Sequence, residues 1–374
     1  MRLVHVVTLV SDDGAFGGPT SVAVAQLEEC AARGHDVTLV ALWRGRERAT
    51  ERIGGVRFVS RPARRLVPGR GCLGLMNPRL LWDLWRAMGR ADTVHLHAGR
   101  DLVSLAGLAV ARLRRTEFVT QTHGMVEPRT GAVARVFDLL YVPLLRRARC
   151  CFVLTERERR ALTEVLGPDG PPLVPLPNGL RPSADGGTRP RDAHEVIFLA
   201  RLHPRKRPEA FVEMAALVHK EIPEARFTLY GADEGSLPAV TRLVADRGVG
   251  EVVSYGGALE HAAALEAYRK ATVYVLPSVD EPFPMTVLEA LAEGTPVVCT
   301  DSSGIAAELA RREAALVTDG SPEALADAVA RLLGDEALRR RLADAGRRAI
   351  DEVFSIRAVV DQLEEVYRPG QGQG

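Results

Sequence analysis

Residues Tyr274 to Glu308 read YVLPSVDEPFPMTVLEALAEGTPVVCTDSSGIAAE, and this stretch decides the fold. The apolar run 273–276 has the length and composition of a buried strand and stops at Pro277. A polar turn over 278–282 leads into a helical pattern with apolar Val287, Leu288 and Leu291. Gly294 ends that helix, Pro296 prevents its continuation, and Val297-Val298-Cys299 reads as a second buried strand. Strand, loop, helix and strand make one unit of a parallel α/β sheet, a fold that binds ligands where its strands end. Two carboxylates lie within it. Glu281 is in the loop at the helix entrance, and Glu289 follows eight residues on, about two turns into the helix.

This E-x7-E spacing, set inside EPFPMTVLEALAEGTPVV, resembles the family-4 retaining glycosyltransferases of GT-B fold. The resemblance implies an α/β protein of two Rossmann-like, doubly wound domains facing a cleft. It also implies that Glu281 contacts a donor sugar and Glu289 binds ribose hydroxyls, with Ser278 matching in order. One position departs from the family, which has Gly after the Phe where this chain has Pro284. Proline has no N–H to offer a sugar hydroxyl; the amides of Phe283, Met285 and Thr286 remain. Taken alone, E-x7-E better fits an ordinary amphipathic helix whose glutamates face water, and only the matching stretch of some thirty residues around it reverses that preference.

The length of 374 residues suits two domains, each able to bury its own core. A net charge of +1 gives no global reason to expect nucleic acid. The charge is uneven: between Arg57 and Arg115 twelve arginines face three carboxylates, Asp83, Asp92 and Asp101. A basic amino-terminal half suits peripheral contact with an anionic lipid surface or a phosphorylated acceptor, or reflects only a genome that prefers arginine. No apolar run approaches the roughly 18 residues that span a bilayer. The five cysteines (30, 72, 150, 151, 299) form no C-x-x-C pair, which fits a reduced cytoplasm, with association to the cytoplasmic membrane face left open.

Taken in order, the chain opens with a strand at 3–9, a glycine-containing loop and a helix at 20–32 begun by Pro19 and Thr20. Glycines between a first strand and its helix let backbone approach a diphosphate; Gly17 and Gly18 match the family's pair near donor phosphates and acceptor. Residues 61–77 read as a Pro/Gly/Arg-rich loop. Pro78 opens an amphipathic helix with arginines opposite its apolar face, suited to a sheet or to a membrane surface. The strand at 93–97 places His95 and His97 on one face. A zinc pair is conceivable there, but no cysteine or carboxylate cluster completes it, so no metal is expected. His123 follows the strand at 118–121, and the resemblance puts it beside the donor sugar. Segments 132–149 and 156–166 read as helices, and a linker composition runs over 182–192.

The α/β pattern then restarts with a strand at 195–200 followed by Arg201-Leu-His-Pro-Arg-Lys206-Arg-Pro208. This matches the family's diphosphate-binding region, with Arg201 and Lys206 as its cations, although Ala200 and Arg207 stand where the family has glycines. The expected division is 1–181 plus 355–374 as the acceptor-binding domain, closed by a helix that crosses back to it. Residues 182–354 form the nucleotide-sugar domain, and 369–374 an unstructured tail. The function implied is retaining transfer of a hexose-type sugar from a nucleotide-diphospho-sugar to a glycan, lipid-linked or small-molecule acceptor. In that reading Arg201, Lys206, His123 and Glu281 are the reacting-centre residues, and no metal or other cofactor is needed. A nucleotide-sugar epimerase of the same fold, or a binding protein without turnover, remains as the alternative.

Overall fold

The computed structural model describes residues 1–11, 17–46, 49–67, 71–181 and 194–368. The expected linker at 182–192, the tail at 369–374 and residues 12–16 of the first loop lie outside them. The chain divides into two compact units, Met1–Gly179 with the segment from Ile356 onward, and Leu180–Ser355. These boundaries fall within two residues of those expected from the sequence, and Ser355 goes with the second unit, where it bridges Leu180.

In the first unit the strands are β1 (Arg2–Ser11), β2 (Asp36–Arg44), β3 (Arg52–Ile53), β4 (Val56–Pro62), β5 (Arg64–Arg65), β6 (Leu75–Met76), β7 (Thr93–His97), β8 (Phe118–Gln121), β9 (Cys151–Val153) and β10 (Leu173–Pro175). Its helices are α1 (Gly17–Ala32), α2 (Pro78–Met88), α3 (Leu102–Arg114), α4 (Ala132–Leu145) and α5 (Glu156–Leu166). The main sheet runs β10-β9-β8-β7-β1-β2-β4-β3, parallel throughout except for β3 against β4. Order reverses between β1 and β7, so the crevice that doubly wound sheets offer to ligands lies at the ends of those two strands. The segment read as one loop at 61–77 is partly ordered by β5 pairing with β6, because Leu75 and Met76 are buried in the core on that side of the sheet.

The second unit contains β11 (Glu195–Leu199), α6 (Pro208–Glu221), β12 (Arg226–Tyr230), α7 (Leu237–Arg247), β13 (Val253–Gly257), α8 (His261–Lys270), β14 (Val273–Leu276), α9 (Met285–Ala292), β15 (Val297–Thr300), α10 (Ala306–Arg311), β16 (Leu316–Thr318), α11 (Pro322–Gly334) and α12 (Glu336–Ala349). Its sheet, β13-β12-β11-β14-β15-β16, is wholly parallel and reverses order between β11 and β14. Val273 to Leu276 are all buried, as an apolar strand covered on both faces must be.

The last helix, α13 (Ile356–Tyr367), belongs to the first unit. Ile356, Val359, Val360, Leu363 and Tyr367 repeat at helical spacing and pack with α1 residues Ala23, Leu27 and Cys30. Helices α2 to α5 pack on the opposite face, in a separate core.

Candidate functional site

In the second unit, the loops after β11 and β14 meet at the switch point. The first is tied down by its backbone: Leu202 bridges Asp233, and Val279 N–H of the second donates to Arg205 C=O at 3.0 Å. Gly231 allows the approach of β12's end, since a Cβ there would sit 1.8 Å from Ala200 O. Pro204 to Lys206 form one 3-10 turn, closed by Arg207 in the left-handed region at φ 53°. That explains the family's glycine at this position. Arg207 accepts the strained conformation here, with its guanidinium donating to Gly320 C=O at 2.8 Å.

The turn places Lys206 against Glu281. The ammonium donates to Glu281 Oε2, and both side chains are about nine-tenths buried. Arg205 stands 3.8 Å from the same oxygen. Arg201, by contrast, is 58% exposed and pairs with Glu234 at 2.7 Å, in the loop after β12. The two cations expected to act together are therefore held by different carboxylates. Arg205 and Glu234 were missed in the sequence, although HPRKRP already carried an extra cation as its signal.

The loop 277–284 is fixed by a buried hydroxyl and a backbone amide. Thr300 Oγ1 donates to Ser278 C=O at 2.5 Å, and Gly304 N–H donates to Glu281 C=O at 2.8 Å. Ser278 Oγ is buried with no partner. Helix α9 begins at Met285, with Pro284 as its extended N-cap (φ −77°, ψ 97°). Glu289 is thus its fifth residue, one turn in and not two. Among the described residues the N–H groups of Phe283, Met285 and Thr286 have no acceptor within the chain, as the first amides of a helix have none of their own. Burial pushes the Glu289 carboxyl up, partly offset by His261.

In the first unit a cavity of about 490 Å³ opens at the ends of β1 and β7. Gly18 and Pro19, His97, Asp101 and Arg129 are among its walls. Asp101 is buried as N-cap of α3, accepting from Val103 and Ser104 N–H and from the Thr8 and Ser104 hydroxyls. Arg100 is fixed by Asp138 through two bonds of 2.8 and 3.0 Å. His123, beyond β8, has φ 51°. Its loop is clamped by buried Glu158, which accepts from Thr122 Oγ1, Gly124 N–H and Leu154 N–H.

His123 ends a buried chain of polar rings. His123 Nε2 lies 2.8 Å from His97 Nδ1, and His97 Nε2 lies 3.1 Å from His5 Nδ1. The Tyr367 hydroxyl stands between His5 Nε2 (3.1 Å) and His95 Nδ1 (2.6 Å). Burial lowers all four histidines, His5 to about 3 and His123 to about 4, so they are neutral. Neutral rings along such a chain can polarise in only two directions. One leaves an orphan N–H on His95 Nε2, which has no partner; the other leaves a bare lone pair there. The orphan donor is the costlier, so the chain runs toward His123, whose Nδ1 then carries a proton to donate.

The nitrogens of His5, His95 and His97 lie within 4.8 Å of one another, near enough to share an ion. However, the His95 and His97 rings stack 4.4 Å apart at 13°. Their in-plane lone pairs run parallel and do not converge on one point. The cluster fits a hydrogen-bonded relay better than a chelate.

Residues 185–349 match the family model described as glycosyl transferases group 1, and residues 17–179 match that of the glycosyl transferase 4-like domain. The chain is 32% identical to an exopolysaccharide phosphotransferase of Streptomyces coelicolor over 60% of this chain and 24% of that protein. It is also 32% identical to a D-inositol 3-phosphate glycosyltransferase of Thermomonospora curvata, over 57% of this chain and 55% of that one. It therefore spans from about a quarter to just over half the length of these relatives. Among solved structures, Anabaena HepE in complex with UDP aligns with a TM-score of 0.73 at 15% identity, covering 98% of this chain and 99% of that one. Sucrose-phosphate synthase from Thermosynechococcus elongatus aligns at 0.66 and 20% identity, covering 98% of each. At these identities the structural likeness is one of fold. With one family model matching each unit and the fold shared end to end, the chain belongs to the group 1 glycosyl transferases, of GT-B fold.

Proposed function

We propose that this protein transfers a hexose-type sugar from a nucleotide-diphospho-sugar to a sugar-containing, lipid-linked or small-molecule acceptor, with retention of configuration and without a metal ion. The observation that carries this reading is the meeting of Lys206, Arg205 and the open amides of α9 at the switch point of the second unit. Cleavage of the bond between the anomeric carbon and the donor's phosphate oxygen leaves negative charge on the diphosphate. Fixed cations in a dry site stabilise such charge directly, which is the service a divalent ion would otherwise supply. Binding of HepE to UDP supports a nucleoside diphosphate as the leaving group.

Lys206 has one ammonium and two claims on it. When a diphosphate arrives, it competes with Glu281, and the freed carboxylate becomes an acceptor for sugar hydroxyls, beside the amides of Phe283, Met285 and Thr286. Arg201 leaves Glu234 in the same way. Glu289, protonated more readily than an exposed carboxyl, takes the ribose hydroxyls. In the first unit the 490 Å³ cavity takes the acceptor, with Gly18 in its wall, and His123 offers its Nδ1–H to the substrates. The test is release of nucleoside diphosphate by purified protein from a panel of nucleotide sugars. Release that needs an acceptor supports transfer; conversion of the donor without release supports an epimerase, and binding without either leaves a binding protein.

A further inference from the structure

We propose that the outer surface of α2, α3 and α4 docks this protein on an anionic lipid bilayer. The surface is unusual in being apolar where it meets water. Helix α4 is apolar nearly all round, a composition that belongs in a core. Its inner side, through Tyr141 and Leu145, does reach the core. Its outer side presents Val133, Val136, Leu139 and Leu140 at helical spacing, with Leu139 73% exposed. Beyond α3, whose Leu113 is equally bare, α2 turns Leu80, Leu84 and Met88 inward and leaves Trp82 and Trp85 out. In the second unit only Tyr255 and Val279 are exposed large apolar side chains among the described residues.

The charge on this face selects the occupant. The only carboxylates on the three helices are Asp83 and Asp138, and each is already bound through two bonds, by Arg61 and Arg100. The exposed charges that remain are Arg79, Arg86, Arg112 and Arg135, extended past the helix ends by Arg115 and Arg147. Apolar side chains flanked by tryptophan and a mainly basic border, in which exposed Glu117 stands 3.5 Å from Arg149, suit the headgroup boundary of an anionic leaflet. A second copy of this chain would set arginine against arginine, which like-charge repulsion opposes. The first of these helices along the chain read as a membrane candidate in the sequence; the structure adds α4 as the larger part of the face. Because α4 starts three residues after Arg129, a wall of the acceptor cavity, docking brings that cavity near the lipid. That last step rests on the transfer reading; the docking does not.

The experiment is flotation of the full chain with phosphatidylcholine vesicles, with and without phosphatidylglycerol, while tryptophan emission is recorded. Binding is expected only with phosphatidylglycerol, with a blue shift from Trp82 and Trp85 and release at high salt. Leu139→Asp with Leu140→Asp should abolish it at unchanged circular dichroism, these side chains being exposed. Arg135→Glu and Arg147→Glu should each weaken it by about fivefold or more. No binding to phosphatidylglycerol vesicles, equal binding by the Leu139/Leu140 variant, or self-association in place of vesicle binding each overturns the proposal. Turnover with a water-soluble acceptor, measured alongside, reports on the transfer reading separately.

Discussion

Lys206 and Glu281, 75 positions apart, form one buried ion pair at the ends of two neighbouring strands, β11 and β14. This pair makes stability and activity separable at the site. Removing one partner of a buried pair leaves an uncompensated charge and costs about 3–5 kcal/mol. Lys206→Met should therefore lower the denaturation midpoint as well as turnover, the latter by about 10²–10³-fold. Adding Glu281→Gln should recover most of the stability and none of the turnover. A double variant as unstable as the single one would show that the pair is not what holds this loop.

Arg201 should behave differently. Its pair with Glu234 is exposed, and such pairs contribute at most about 1 kcal/mol. Arg201→Ala should keep its midpoint and still lose turnover by about 10²-fold. Wild-type turnover would remove Arg201 from the reaction.

The sequence carried the architecture because its signals were local. Val273 to Leu276, Gly294 and Pro296 are strand, stop and restart by their own chemistry, and the α/β pattern resumes plainly at Glu195. The pairing of Glu281 was not legible, because E-x7-E says nothing about which cation lies opposite; that depends on β11 and β14 being neighbours. Nor was the role of Tyr367 visible. Its hydroxyl meets His5 and His95 only because α13 returns to the first unit, more than 270 residues after them. Arg207 stands where the family has glycine, and the sequence did not show that it adopts the glycine conformation and is held there by a carbonyl.

The histidine chain predicts acid sensitivity. Unfolded histidines titrate near 6.5, whereas burial holds His5 at about 3 and His123 at about 4, with His95 and His97 also well below normal. Below 6.5 the unfolded chain binds protons that the folded chain refuses, so stability falls as pH falls. Each such histidine contributes at most about 1.4 kcal/mol per pH unit. The loss begins near pH 6.5 and continues to about pH 4, where His123 charges, and to about 3 for His5. Thermal midpoints should drop steadily across that window, and His5→Phe should flatten the slope. A midpoint independent of pH from 7 down to 5 would mean that these rings are not neutral and buried together.

Turnover should survive chelation. On the proposed reading, Lys206, Arg205 and Arg201 supply the positive charge that a divalent ion would bring to the departing diphosphate. Dialysis against EDTA should leave the rate within about twofold, well short of the several kcal/mol a Lewis acid provides. Loss of activity restored by Mn²⁺ or Mg²⁺ would contradict this. Specific Zn²⁺ uptake lost in His95→Ala would return the stacked histidines to consideration as ligands.

Pro284 is the family departure nearest the open amides at the entrance of α9. As the extended N-cap of α9 it gives its carbonyl to Val287 N–H at 3.1 Å, and its missing N–H is not one the helix uses. Proline also restricts Phe283 before it to extended backbone, where that ring packs on Phe354 with centroids 6.1 Å apart. Pro284→Gly restores an N–H and frees the backbone. The freedom should cost about 0.4–1 kcal/mol, mainly by loosening the unfolded chain. One neutral hydrogen bond carries about 0.5–1.5 kcal/mol, so if the restored amide bound a sugar hydroxyl, preference would sharpen by about tenfold. The expected outcome is the stability loss alone, with kcat/KM for two donors differing at a single hydroxyl keeping its ratio, because Phe283, Met285 and Thr286 already present three open amides. A tenfold sharpening would instead show that this position reads the sugar, and that the proline widened the range of donors accepted.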